Sequence, residues 1–509
     1  MKPRVALVLA VLTLAALACS RQVAEPVYMV TATPPQAQPA AGSVPTLPAN
    51  APVDLGGGAV ALTPTPDPTL PPSAEGATYV VQPGDQLLDI ALLYNTNIPE
   101  LIALNGLAGE ADITVGQALK VPGEPSQIGP AFKIIPDSEL VYGPNLQGFD
   151  TLAYVARQPG YLRTHAEDVD GESLTGAAIV RRVALEFSVS PRLLLALLEY
   201  RSGWLTHPFP TEFEINHPIG FIEGYDGLYK QLSWAANQLN AGYYGWRYRG
   251  LSSLVFPDGQ RVAFSPAINA GTAAIQHLFS KMESYATWLS LVGPSGFYAT
   301  FAGLFGNPFA YAVEPLLPPD LAQPPLALPW AESEAWYYTG GPHGAWASGS
   351  AWAAVDFAPP GEQMGCYVAE ARTRAVAPGV IARSENGAVL LDLDGDGYEG
   401  TGWVVFYLHL TSRVEAGTAV NTGDPVGAAS CEGGVSFATH VHIARKYNGE
   451  WIPAHCHHCR PGISAPPFVM GGWTIGGFVG QEYDGYMTRG EDYREAFDGG
   501  RVDLNTVAW

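Results

Sequence analysis

The 509-residue chain is poor in cysteine and in charged residues. Its five Cys are too few for a fold held mainly by disulfides, and Asp, Glu, Lys and Arg together make up only 15% of it. Basic residues are scarcer than acidic ones, 26 against 48, so the formal net charge is −22. Because nucleic-acid binding needs clustered Lys and Arg, we expect no nucleic-acid partner. The low charge and the 11% of aromatic residues both argue against disorder, so most of the chain should fold.

Long apolar runs are scarce as well. Residues 5–18 are apolar but too short to span a bilayer comfortably, and they follow the basic residues Lys2 and Arg4. Small residues then precede Cys19, so we predict a signal peptide over residues 1–19. A Cys at this point resembles a bacterial lipoprotein signal, which implies lipidation of Cys19 and a membrane anchor. Ordinary cleavage with secretion and a core helix are the alternatives.

Two proline-rich stretches divide the chain. Residues 20–76 contain many prolines, and no Lys or Arg occurs between residues 22 and 119. Proline fixes φ and removes an N–H donor, so this stretch should be an extended linker. Residues 314–330 form a second linker of the same kind. The length of the chain then predicts several domains.

Residues 77–123 predict a small βααβ module. Strand, turn, two helices and a closing strand follow one another within this short stretch. The pattern resembles a LysM module, and a βααβ domain without a ligand is the alternative. The resemblance implies binding of glycans that contain N-acetylglucosamine, mainly peptidoglycan. The residues that carry it are Tyr79-Val80-Val81, Pro83-Gly84-Asp85, Ile90-Ala91, Leu104-Asn105, Gly116-Gln117 and Pro122.

Residues 131–313 predict a mainly helical domain. Ser190 is placed to cap a helix that has Pro191 at its first position. Residues 228–239 and 270–282 predict two further helices.

Part of this helical domain, residues 189–204, resembles the catalytic segment of lysozyme-like lytic transglycosylases. In that family a Glu directly before a Ser-Gly pair is the general acid, and Arg201 stands at that position here. A guanidinium cannot donate and retake a proton near neutral pH, so we predict a non-catalytic relative that binds a glycan strand. The alternatives are a helical spacer, or a glycosidase that uses Glu199, Glu212 or Glu214.

Residues 331–470 predict an all-β domain, since short apolar strands alternate with turns. His440 and His442 are two residues apart on one predicted strand and therefore face the same side. His409 lies within another predicted strand. A catalytic zinc site needs three protein ligands and an open position, and His343, Asp356 and His442 can supply two nitrogens and one oxygen. Zinc would also balance the charge of Asp356, which lies in an apolar strand.

This arrangement resembles the zinc endopeptidases of the lysostaphin and LytM group. The spacing of His343 and Asp356 fits the beta-lytic branch, whereas the commoner short form has a His at the position of Trp352. The resemblance implies that His343, Asp356 and His442 bind zinc and that His409 and His440 are catalytic. It implies cleavage of peptides in the bacterial cell wall, with an inactive binding homologue as the alternative. It is carried by Gly340-Gly341-Pro342-His343, Ala353-Ala354-Val355-Asp356-Phe357, Tyr407-Leu408-His409-Leu410 and Thr439-His440-Val441-His442.

An acidic turn lies between two predicted strands of the same domain. Asp392, Asp394 and Asp396 resemble the first half of a calcium loop, which would make calcium a second metal. Trp403 stands where such a loop has its final Glu, so an Asp-Gly hairpin is the other interpretation.

Four cysteines allow three pairings in an exported protein. We favour a Cys366–Cys431 disulfide that braces the strand of His440. The cluster His455-Cys456-His457-His458-Cys459 predicts a local disulfide or free thiols, with a second metal site as the alternative.

The sequence thus predicts a multidomain protein with a small βααβ LysM module, a mainly α lysozyme-like domain and an all-β C-terminal metallopeptidase domain. Residues 471–509 form an extension without an assigned role. We expect an exported, LysM-targeted peptidoglycan hydrolase with zinc endopeptidase activity. The alternatives are a non-catalytic activator of another hydrolase and a glycan-strand lyase or glycosidase.

Overall fold

The fold is described from a computed structural model that covers residues 77–221, 224–463 and 465–509. The predicted signal peptide, the lipidation candidate Cys19 and the linker 20–76 lie outside the described residues. No single helix in the described ranges is both long and apolar enough to cross a membrane, although the bent pair Leu87–Leu93 and Ile98–Asn105 meets that test when taken together.

The first described segment has the predicted βααβ order. Strands β1 (Ala77–Val80) and β2 (Ala118–Val121) pair antiparallel, and helices α1 (Leu87–Leu93) and α2 (Ile98–Asn105) lie between them in sequence. The apolar side chains of both strands and both helices form one small core. This prediction is confirmed.

Helices dominate the central segment. They are α3 (Asp137–Leu140), α4 (Thr151–Ala156), α5 (Gly176–Phe187), α6 (Pro191–Ser202), α7 (Glu212–Asn216), α8 (Leu228–Tyr248), α9 (Ala270–Ser280), α10 (Tyr285–Leu291) and α11 (Phe297–Phe305). Helix α6 begins as predicted, because Ser190 Oγ accepts the N–H of Leu193. Two hairpins interrupt the helices, β3 (Ala166–Val169) with β4 (Glu172–Thr175) and β5 (Ser253–Val255) with β6 (Arg261–Ala263). The prediction of a mainly helical segment is therefore met in part.

The C-terminal region is built from strands. They are β7 (Ala335–His343), β8 (Ala354–Ala358), β9 (Arg372–Arg374), β10 (Gly379–Glu385), β11 (Ala388–Asp392), β12 (Trp403–Leu408), β13 (Leu410–Thr411), β14 (Ala419–Val420), β15 (Pro425–Ala429), β16 (Val441–Tyr447), β17 (Glu450–Trp451), β18 (Val469–Met470), β19 (Trp473–Phe478), β20 (Gln481–Arg489), β21 (Asp492–Glu495) and β22 (Thr506–Ala508). The main sheet has the order β14-β10-β11-β12-β16-β8-β7-β22, with β17 paired to β16. Smaller sheets follow the orders β13-β15-β9 and β18-β19-β20-β21.

Alternation along the central strands gives the main sheet two buried faces. Phe406 and Ala444 point to one face and pack into the core of the helical segment. Tyr407 and Ile443, their neighbours in sequence, point to the other face and belong to a separate core. His442 and Asp356 share the first face, so the predicted site lies where the sheet meets the helical segment.

The proline-rich stretch 314–330 contains no helix or strand and is packed against the protein. Leu316 lies in the helical core, whereas Leu328 and Trp330 are buried in the core on the far side of the sheet. This stretch therefore runs from one core to the other.

Candidate metal centre

Three predicted zinc ligands meet on one face of the main sheet. His442 on β16 lies opposite Asp356 on β8 in the antiparallel register, and His343 ends the neighbouring strand β7. All three side chains are buried, and their ligand atoms lie within 4.8 Å of one another. Strand pairing thus brings together residues that are distant in sequence.

The distances between these atoms fit a tetrahedral ion. His343 Nε2 lies 3.0 Å from His442 Nδ1. Asp356 Oδ1 lies 3.4 Å from His343 Nε2 and 3.2 Å from His442 Nδ1. Ligands about 2.0–2.1 Å from a tetrahedral zinc ion lie roughly 3.3 Å from each other. The three atoms therefore have the spacing of three corners of a zinc tetrahedron.

The hydrogen bonds of the two imidazoles determine which ring nitrogen is unprotonated and presents its lone pair to the centre. His343 Nδ1 donates to the carbonyl of Gly341 over 2.8 Å, and His442 Nε2 donates to the carbonyl of Ala345 over 3.0 Å. Carbonyls only accept, so these nitrogens carry the protons and the opposite nitrogens are bare in the neutral rings. Such outer hydrogen bonds are typical of metal-ligating histidines.

Asp356 completes the group. Its Oδ1 is buried without a hydrogen-bond partner among the described residues. Two bare nitrogens and one carboxylate oxygen thus converge with no donor between them, an arrangement that a divalent cation stabilises. A side chain at Gly340 would collide with this carboxylate, since an added Cβ would lie 2.6 Å from Oδ2. The donor set therefore fits zinc.

His409 and His440 lie beside this group and are themselves neighbours, with ring centroids 4.5 Å apart. His409 Nδ1 donates to Gly433 O over 2.9 Å, and His440 Nδ1 donates to Ala438 O over 2.8 Å. Each ring therefore keeps a bare Nε2 when it is neutral. His440 Nε2 lies 3.6 Å from Asp356 Oδ1.

The backbone at His409 differs from the prediction. We expected His409 inside a continuous strand, but β12 ends at Leu408 and β13 begins at Leu410. His409 has φ 65°, which costs a non-glycine residue about 1–3 kcal/mol. Its carbonyl accepts from both the N–H and the Oγ–H of Ser430, and these contacts hold the break in place.

Burial and mutual charge shift the pKa values of this cluster. Burial, then the charges of His440 and His442, lowers the pKa of His409 to about 3. Burial alone would raise the pKa of Asp356, but His343 and His440 outweigh it and hold it well below its ordinary value. The carboxylate is therefore ionised and the His409 ring is neutral near pH 7.

A disulfide braces the loops beside His440. Cys366 and Cys431 form this disulfide, with Cα atoms 5.7 Å apart. Thr439 is joined to the Cys366 loop, because its N–H donates to Gly365 O over 3.0 Å and its Oγ–H donates to Tyr367 O over 2.6 Å. His440 forms a β-bridge with Ser430, next to Cys431. The approach to His440 is thus held from two sides.

Removing this disulfide should lower the stability of the protein. We expect the Cys366→Ser/Cys431→Ser double variant to lose about 2–4 kcal/mol of unfolding free energy, because the bridge restricts the unfolded chain. Denaturant titration with circular dichroism measures the loss. Cys456→Ser/Cys459→Ser is the matched control, since that bridge spans a sequence separation of 3 rather than 65 and should matter less. Equal losses in the two variants would contradict this account.

Residues of the C-terminal extension line the site, which the sequence analysis did not predict. The Tyr483 ring stacks on His343 with centroids 4.3 Å apart, and Glu482 accepts the N–H of Gly344 over 3.1 Å. An added Cβ at Gly341 would lie 2.5 Å from the backbone of Asp484. The Gly-Gly pair before His343 was therefore the one local signal that another segment approaches closely, but it cannot identify that segment.

The other predicted sites show mainly local contacts. The carboxylate of Asp392 accepts the N–H of Asp394 over 3.1 Å and of Gly397 over 2.8 Å, as in a hairpin turn. Asp396 completes an acidic group with these two Asp residues, and the calcium loop stays a prediction. Cys456 and Cys459 form a local disulfide.

In the segment predicted to be lysozyme-like, the acidic residue Glu199 is engaged in local hydrogen bonds. Glu199 accepts the N–H of Leu205 over 3.0 Å and of Thr206 over 3.2 Å, so it caps the turn after α6. Arg201 pairs with Glu283 at 2.8 Å. The likeness to lysozyme stays a prediction.

Comparisons with known proteins agree with this organisation. Residues 79–122 match the LysM domain family, and residues 133–319 match the family described as LasA, N-terminal domain. Protease LasA of Pseudomonas aeruginosa strain UCBPP-PA14 is 27% identical over 338 residues, which cover 62% of this chain and 74% of that protein. Protease LasA of strain PAO1 is 26% identical over the same shares. The chain thus contains a LysM domain and is homologous to Protease LasA.

Solved structures of M23 and lysostaphin peptidases are also similar. The M23 metalloprotease pseudoalterin from the deep sea is 23% identical, with a TM-score of 0.28, over 34% of this chain and 96% of its own. The catalytic domain of lysostaphin from Staphylococcus simulans is 21% identical, with a TM-score of 0.18, over 25% of this chain and 95% of its own.

Proposed function

We propose that this chain, which contains a LysM domain and is homologous to Protease LasA, is an exported zinc endopeptidase that cleaves peptides of bacterial peptidoglycan. The observation that carries the proposal is the convergence of His343, Asp356 and His442 without a hydrogen-bond donor between them. When bound there, zinc would polarise a peptide carbonyl and bring the pKa of water to about 7.

His409 and His440 are the acid–base pair of this proposal. Both rings present a bare Nε2, because Nδ1 of each ring donates to a backbone carbonyl. One Nε2 can accept the proton of the attacking water and later return it to the leaving amine. A protonated Nε2 can also donate to the oxyanion that forms on the carbonyl.

The remaining segments provide attachment in this proposal. The LysM domain binds glycan that contains N-acetylglucosamine, which keeps the metal centre near the stem or cross-bridge peptides. The central segment contacts or spaces the glycan strand without cutting it, because Glu199 is engaged in capping and Arg201 occupies the place of the general acid. Lipidation of Cys19 would anchor the exported chain to a membrane.

The reaction products test this function. Purified protein is incubated with peptidoglycan, with and without a zinc chelator, and beside the His442→Ala variant. We expect new free amines from the wild type, and none after chelation or in the variant. Reducing ends or anhydro-sugars that persist in both controls would show instead a glycosidase or lyase. Absence of all products would support a non-catalytic activator.

Replacing His440 should separate catalysis from metal binding. We expect His440→Ala to lower kcat/KM about 100- to 10,000-fold, the usual contribution of a general acid or base. Bound zinc, measured by mass spectrometry of the metal, should stay at the wild-type ratio because the three ligands are intact. A variant that loses zinc together with activity would argue that His440 serves the metal site instead.

A further inference from the structure

A cavity of about 430 Å³ lies where the LysM domain, the helical segment and the C-terminal region meet. Its wall includes Val81 from the LysM domain, His277 and Lys281 from the helical segment, and Trp352 and His455 from the C-terminal region. This volume lies within the range of small-molecule sites, roughly 300–1000 Å³. Nothing in the zinc chemistry proposed above uses this space.

Two cations on the wall have no carboxylate in ion-pair contact within the part of the chain that the structure describes. The Lys281 ammonium makes no hydrogen bond or ion pair among the described residues, and the Arg249 guanidinium donates there only to the backbone carbonyls of residues 348–350. Glu482 also lines the cavity and attracts Arg249, but from beyond ion-pair distance. Arg261 on the same wall shows the contrast, since it pairs with Asp85 at 2.7 Å.

Uncompensated charge in a partly closed space is unfavourable. Burial lowers the pKa of Lys281, and the charge of Arg261 lowers it further. Burial likewise lowers the pKa of Arg249. An anion bound in this cavity would compensate the charges of Lys281 and Arg249 as Asp85 compensates that of Arg261.

His277 adds an acceptor beside the two cations. Its Nδ1 faces the carbonyl of Gln238 at 3.0 Å and therefore carries the proton, which leaves a bare Nε2 without a partner among the described residues. Burial lowers the pKa of His277 to about 3, and the charges of Lys281 and Arg249 add to that effect. All three residues line the same cavity. A ligand that fits has an anionic group next to an N–H or O–H donor.

We propose that this cavity binds a small organic carboxylate, with the carboxylate against Lys281 and Arg249 and a neighbouring amide or hydroxyl donating to His277. The apolar side chains of Val81, Leu251 and Val255 on the same wall suit the carbon skeleton of such a ligand. Two components of the proposed substrate have this chemistry, an N-acetylated acidic sugar and the carboxyl end of an N-acylated peptide. The choice of these two molecules rests on the proposed function, whereas the preference of the cavity for a carboxylate does not.

Matched acid and neutral probes test the cavity. Isothermal titration calorimetry on the full chain compares N-acetylmuramic acid with its carboxamide, and N-acetyl-D-alanyl-D-alanine with its C-terminal amide. We expect at least one acid to bind about tenfold or more tightly than its neutral partner, and the successful pair identifies the source. Equal or undetectable binding of acid and neutral probe in both pairs would overturn the proposal.

Two variants connect binding to this cavity. Lys281→Met should weaken the acid at least about tenfold, whereas Lys230→Met, on the exposed face of α8, should not. Without ligand, Lys281→Met should match or exceed the wild-type Tm, because it removes an unpaired charge; a merely structural lysine would give a lower Tm. Lys281→Gln is the second variant if the first fails to fold. Acid binding that is unchanged in both Lys281 variants would refute the site. Chelator-sensitive peptide hydrolysis is measured separately and reports on the zinc centre alone, so failure of one proposal can be told from failure of the other.

Discussion

Replacing Asp356 with Asn is expected to reduce kcat/KM on peptidoglycan at least about 1000-fold and to leave the protein without stoichiometric zinc. The substitution changes few atoms but removes the one negative charge among the three ligands. Loss of a metal that stabilises the transition state by several kcal/mol corresponds to a factor of this size, since each 1.36 kcal/mol is about tenfold. Zinc content and initial rates measured on the same preparation give both numbers.

The control for this variant is another Asp→Asn change in the same domain. Asp396 is exposed in the turn between β11 and β12 and accepts the N–H of Tyr398 over 2.7 Å. Asp396→Asn should therefore keep both zinc and activity. If Asp356→Asn kept both as well, Asp356 would not be a metal ligand and the proposed centre would be wrong.

Replacing Glu399 with Gln should cost about 3–5 kcal/mol of unfolding free energy, because it leaves two buried cations without their counter-charge. Glu399 accepts from Arg383 Nε over 2.6 Å and from Lys446 Nζ over 2.8 Å, and all three side chains are buried. Arg383 also donates to Leu185 O in α5 over 3.4 Å. The triad thus joins the main sheet to the helical segment.

The same triad makes stability depend on pH. Burial alone would raise the pKa of Glu399, but Arg383 and then Lys446 outweigh it and lower the value from 4.5 to about 2. The contribution is therefore complete above pH 4.5 and disappears as the pH falls towards 2. A depression of this size corresponds to about 3 kcal/mol.

Urea titrations between pH 2 and pH 7 measure both effects. In this range the wild type should lose about 3 kcal/mol more than Glu399→Gln does on acidification. Glu385→Gln is the matched control, because Glu385 lies 3.7 Å from the same Arg383 but is far more exposed. Identical acid sensitivity of wild type and Glu399→Gln would refute the role of the triad.

Patterns confined to short stretches were enough for several predictions. The βααβ order of the LysM domain follows from periodicity and turn residues, and the start of α6 follows from Ser190 and Pro191. An alternating strand placed His440 and His442 on one side, and the cost of burying Asp356 pointed to a metal. These signals are local, so they can be recognised without knowledge of the fold.

Other features were missed because they depend on distant segments. His409 was expected within a strand, yet hydrogen bonds from Ser430 stabilise an interruption between β12 and β13 at this residue. No local sequence pattern indicates that interruption. Tyr483 stacks on His343 although 140 positions separate them in the chain, since it arrives on β20 from the C-terminal extension. The spacing of residues along the chain holds no information about which sheets pack together.

The sequence by itself determined the LysM domain, the strand-rich character of the C-terminal region and the residue types available for a metal centre, because helix and strand periodicity and side-chain chemistry are local properties. Only the tertiary structure decided that His343, Asp356 and His442 face one another with no donor between them. It also decided that Glu399 neutralises Arg383 and Lys446, and that the Lys281 side chain lines a cavity without an ion-pair partner among the described residues. Each of these depends on strand register and on the packing of separate segments, which set distances between residues far apart in the chain.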